Sequence, residues 1–155
     1  MGSGKTDEKT RVISLRLHIS NTNSIIQKYQ PNLKSSDLRS NTASLASILS
    51  MAEKNVGDYL VEKYNLKDKN ISKKILDQAE INYQEIDETL FEAKITGVLD
   101  RMYAHKMSYE ISTIMAEEAQ IINATKEDWL KETLSASYES LENLYGKFND
   151  FSEAN

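Results

Sequence analysis

Apolar and polar positions change period along this chain. In residues 11–19, Ile13, Leu15, Leu17 and Ile19 alternate with Val12, Ser14, Arg16 and His18, and a period of two predicts a half-buried strand. From there the period is helical. Ser20 or Asn21 caps a short helix with Ile25, Ile26 and Tyr29 on its apolar face, and the polar stretch 30–37 around the single proline, Pro31, reads as a loop. A second helix is expected to open at Ser40, Asn41 and Thr42, with Leu45, Ile48, Leu49, Ala52 and Val56 along one face. A polar break at 65–70 precedes a long helical segment, 71–122, in which Gly97 is a weak point. Thr125 is placed to N-cap the last helix, with Glu127 and Asp128 favouring its first turn.

Two longer stripes stand out in the second half. Leu130, Leu134, Ser137, Leu141, Leu144 and Phe148 recur at spacings of four and three, the pattern of a coiled-coil seam. Phe91, Ile95, Val98, Met102, His105 and Tyr109 keep the same spacings on the segment before it. Each stripe wants the other or a neighbouring chain, and His105 is expected inside such a seam, neutral and hydrogen-bonded, where protonation would make assembly sensitive to pH.

A solitary strand in a helical chain must satisfy its backbone groups somewhere, and the economical partner is the same strand of a second subunit. Strand, helix, loop, helix is the order of the ribbon-helix-helix unit, and the Ile-Ser-Leu-Arg-Leu-His run at 13–18 is similar to the ribbon of Arc-type repressors. Leu17 to Asn21, Ile25-Ile26 and the run Ser40 to Leu45 further resemble TraM-type relaxosome accessory proteins of F-type conjugative plasmids, over about the first 60 residues. The resemblance implies a dimer that inserts a two-stranded ribbon into the DNA major groove.

On that reading the fold is mainly α. Residues 1–10 are a disordered terminus or an expression remnant, 11–64 a ribbon-helix-helix DNA-binding domain, and 70–155 a helical oligomerisation domain. Ser14, Arg16 and His18 would contact bases, Arg16 as a bidentate reader of guanine. Backbone amides and hydroxyls at Ser40, Asn41 and Thr42 would hold phosphates. Leu130, Leu134, Leu141, Leu144 and Phe148 would form the oligomer seam. Expected partners are double-stranded DNA, a second copy through the strand, further copies up to a tetramer through the C-terminal helices, and a coupling protein or relaxase at an origin of transfer. The same unit also serves a transcriptional repressor, and a helical protein-binding scaffold without DNA binding is the alternative from another class.

Charge supports a basic N-terminal surface. The 155-residue chain carries a net charge of −5, yet residues 1–40 hold seven Lys or Arg against Asp7, Glu8 and Asp37, a local excess of plus 4. The absence of cysteine removes disulfides and thiolate metal sites, and fits a reducing, cytoplasmic setting. No run is long and apolar enough to span a bilayer, so no membrane insertion is expected.

No enzyme chemistry is expected, and no cofactor or metal. Residues 2–6, Gly-Ser-Gly-Lys-Thr, imitate the end of a phosphate-binding loop but lack its first glycine and the preceding strand. His18 and His105 have no ligand-spaced partner histidine. The adjacent acids Asp87-Glu88 and Glu117-Glu118 read as solvated helix faces.

Overall fold

The computed structural model describes residues 3–154, with the backbone alone at 3–7 and 68. Five helices follow in order: α1 (Ser3–Tyr29), α2 (Ser36–Tyr64), α3 (Lys73–Ile95), α4 (Leu99–Ala124) and α5 (Asp128–Ala154), with short 3-10 turns at Gln30–Asn32 and Asp68–Asn70. Among the described residues there is no strand, and no helix is long and apolar enough to cross a membrane. Gly2 of the 2–6 glycine-rich stretch lies outside the described residues, and Ser3 to Thr6 open α1.

The strand expected at 11–19 is therefore helix, and the ribbon-helix-helix unit is not formed. Two periods coexist in this sequence. Alternation holds for only four apolar positions and is already broken by Val12 on the polar side. A helical pattern instead runs through Val12, Leu15, Ile19, Thr22, Ile26 and Tyr29, all buried, and neither glycine nor proline interrupts it. The longer pattern buries more apolar area, at about 25 cal/mol per Å². A helix also closes its own backbone hydrogen bonds, so no strand of a second chain is required.

The other boundaries have local causes. Ser35 N-caps α2 by accepting from the Leu38 amide at 3.1 Å, so that helix begins before Ser40. It ends at Asn65, which adopts the left-handed conformation (φ 52°) and returns its amide to Leu60 and Val61. Gly97 takes φ +81° and divides the 71–122 segment into α3 and α4. Thr125 Oγ1 accepts from the Glu127 amide at 3.1 Å ahead of α5.

Helices α1, α2, α5 and α4 pack in a ring, α4 and α5 forming the most extensive pair, and α3 lies outside against α1 and α4. Side-chain ties fix the directions. Glu8 bonds Thr125, His18 bonds Glu110 and Glu117, and Asp100 accepts from the amides of Lys34 and Ser35, so α1 and α4 run antiparallel. Asn21 donates to the Ala79 carbonyl and Tyr29 to Asp87, so α3 runs parallel to α1. One apolar core extends from Val12 to Phe148; residues of the 11–64 and 70–155 segments share it.

Candidate functional site

The three residues expected to read bases do not share a face. Successive helical residues turn by about 100°, so Ser14 and His18 stay on one side of α1, one turn apart, while Arg16 between them points away, where a strand would have aligned all three. Arg16 lies in a shallow cleft of about 370 Å³ lined by Ser50, Glu53, Lys54, Gly57, Asp58 and Val61. Its guanidinium rests against α2 where Gly57 has no side chain; a Cβ there would stand 3.3 Å from Arg16 Nε.

His18 is the best-bound polar residue between α1 and α4. Its Nε2 meets Glu110 Oε1 at 2.6 Å and its Nδ1 meets Glu117 Oε1 at 2.8 Å. Those carboxylates are seven residues apart, two turns on one face of α4, and clasp the ring from both sides. Burial alone would push the imidazole down, but the hydrogen bonds and charges of Glu110 and Glu117 outweigh it and raise it to about 9. The ring is therefore an imidazolium near neutral pH, donating from both nitrogens to the chain's own acids, and is not presented to a base edge.

The expected phosphate site is likewise spent within the molecule. Ser40, Asn41 and Thr42 lie in the second turn of α2, not at its start, and Thr42 is fully buried. The amides that precede the helix, Lys34 and Ser35, are taken by the Asp100 carboxylate at 3.0 and 2.8 Å. The Asp100 carboxylate thus sits against the loop that leads into α2, and the Leu38 amide of the first turn is taken by the Ser35 hydroxyl.

Of the two acidic pairs read as solvated faces, Glu88 is exposed as expected, while Asp87, Glu117 and Glu118 prove to be internal ties. Asp87 accepts from the Tyr29 hydroxyl at 2.6 Å and from Lys28 at 2.7 Å. Glu117 holds His18. Glu118 is 0% exposed; its Oε2 accepts from Ser137 at 2.6 Å while Oε1 has no partner. Burial foremost, together with the neighbouring Glu117 charge, raises its carboxyl to about 7 against the opposing pull of Ser137.

A further anchor joins the opposite end of the bundle. Glu8 accepts from Tyr59 and Thr125 at 2.7 and 2.6 Å, from Lys63 at 3.2 Å, and from Tyr64. Burial pushes this carboxyl up, but four donors bring it down to about 2. Tyr59 also stacks on Trp129. Residue 8 is thereby fixed within the 1–10 segment expected to be disordered.

The two coiled-coil stripes have opposite fates. Leu130, Leu134, Leu141, Leu144 and Phe148 are buried, and the closest pairing of their helix is with α4. The stripe Phe91, Ile95, Val98, His105 and Tyr109 faces solvent, with Ile95 69% and Tyr109 59% exposed and Met102 half-buried. His105 is therefore on the surface and not within a seam. Sequence periodicity marked this stripe as apolar but could not say which way it would point.

Among the described residues no group of His, Asp and Glu is arranged to hold a metal ion. The geometry thus offers exposed apolar side chains on α3 and α4, with others such as Met51, Val61 and Trp129 elsewhere, and a set of internal ion pairs. Comparison with known proteins finds no matching family, no matching curated protein and no matching solved structure.

Proposed function

We propose that this chain is a helical protein-binding scaffold that assembles with a second copy of itself through the outward stripe Phe91, Ile95, Val98 and Tyr109. The observation that carries the reading is the division between stripes: one is filled by the chain's own helices and the other has no cover. Those four side chains expose roughly 400 Å², the size of a functional patch on a small protein. Doubled across a two-fold axis, this approaches the apolar share of a standard interface of about 1,600 Å². Glu88, Glu92, Lys94 and Arg101 are exposed on the same two helices, so this part of the surface carries both signs and a like surface is not repelled.

Sedimentation equilibrium from about 1 to 100 μM tests this, a range that brackets weak and moderate dimers. Wild type should dimerise within it, while F91E/I95E should stay monomeric with unchanged helicity. A wild type that is monomeric throughout overturns the reading.

The accessory DNA-binding reading of the TraM kind, and the repressor reading beside it, keep the plus 4 charge of residues 1–40 as support. They lose the ribbon as the reading element. A mobility shift that is specific and salt-sensitive would restore DNA binding by another surface.

A further inference from the structure

Helices α4 and α5 meet along two heptad-like lines. On α5 the line is Leu130, Leu134, Ser137, Leu141, Leu144 and Phe148; on α4 it is Ala104, Met107, Ile111, Ile114, Glu118 and Ile121, again at spacings of three and four. Each line has one polar rung, and the two rungs meet, Ser137 Oγ donating to Glu118 Oε2 at 2.6 Å. The remaining oxygen, Oε1, is sealed from solvent without a partner. An ionised carboxylate in that position leaves a charge facing apolar side chains, at a cost far above that of a neutral acid.

We propose that the Glu118–Ser137 rung is a proton-dependent latch, closed when the carboxyl is neutral and loosening the α4–α5 hairpin when it ionises. The surroundings push one way. The charged group beside Glu118 on its own helix is Glu117, whose negative charge opposes ionisation, and α5 supplies the Ser137 hydroxyl, which favours it. Helix α1 contributes His18, bonded to Glu117; while that ring is charged it partly offsets Glu117.

The sign is that of a carboxyl held above its ordinary range. Its contribution to stability is full below the unfolded value of 4.5 and is lost as pH rises through about 7. Between pH 5 and 7 the folded-to-unfolded ratio should fall roughly forty-fold from this group, while His18 adds about four-fold over the same range.

The test is urea unfolding of wild type and E118Q at pH 5 and 7, with amide exchange of α5 followed alongside. E118Q keeps the shape of the rung without the ionisation, so its pH-dependent loss should shrink to about the four-fold share of His18. At pH 7 its α5 amides should be better protected than those of wild type. Carbon-13 titration of the glutamate carboxyls in the wild type provides a reading independent of the variant's folding: one carboxyl should titrate near 7 and be missing from E118Q. An unchanged pH slope in E118Q, or a wild type whose carboxyls all titrate in the ordinary range, overturns the latch.

Discussion

Replacing His18 by alanine removes the one cation held by Glu110 and Glu117 and leaves two carboxylates on the same face of α4, Glu110 nearly buried. The imidazole rises from 6.5 to about 9 in the folded chain, and at 1.36 kcal/mol per unit the linkage is worth about 3 kcal/mol. Stripping one partner from a buried ion pair costs a similar amount, about 3 to 5 kcal/mol. A raised histidine stabilises fully below its unfolded value of 6.5, and that stability disappears as pH rises through about 9. Urea unfolding of wild type and His18→Ala should therefore differ by about 3 kcal/mol at pH 6 and by little at pH 10, where the wild-type ring is neutral as well. Any gap that persists at pH 10 measures lost packing alone. An equal penalty at both pH values would refute the ion-pair account and assign His18 to shape.

Glu8→Gln should cost about 3 kcal/mol at pH 6, because a carboxyl lowered from 4.5 to about 2 stabilises above 4.5 and loses that contribution as pH falls through 2. Acid titration followed by circular dichroism should bring wild type and variant together near pH 2. The two glycines separate space from backbone conformation. Gly57→Ala should stabilise by up to about 1 kcal/mol, since the 3.3 Å neighbour is the end of the flexible Arg16 side chain in an open cleft. Gly97→Ala should destabilise by about 1 to 2 kcal/mol although nothing lies within 4 Å, because φ is +81°. Thermal melts of both variants check the pair, and a reversal of the two signs would refute the assignment.

Much of the helical framework is legible in the amino acids alone. The breaks at Pro31, Asn65 and Gly97 and the apolar line from Leu130 to Phe148 follow from turn chemistry and from spacings that only a helix aligns, while Thr125, expected to cap the last helix, instead closes α4. The N-terminal segment was ambiguous because residues 12–19 satisfy two periods at once. Local alternation favours a strand, and only the continuation of the helical line to Tyr29, matched by apolar faces of α2 and α4, decides between them. That choice lies in the packing, where a long buried face outweighs four alternating residues.

The polar residues needed the tertiary structure even more. Ser137 within an apolar line and Glu118 within another were visible as exceptions to a pattern, but that they meet depends on the register of α4 against α5. His18 gave no sign of its partners, which lie 92 and 99 residues away. Which apolar stripe is covered was likewise decided by the ring of α1, α2, α5 and α4, which leaves one face of α3 and α4 toward solvent. Sequence determines the period of each helix, because backbone geometry is local; the fold determines which charges pair and which face is left open, because burial and Coulomb energy depend on distances between segments remote in the chain.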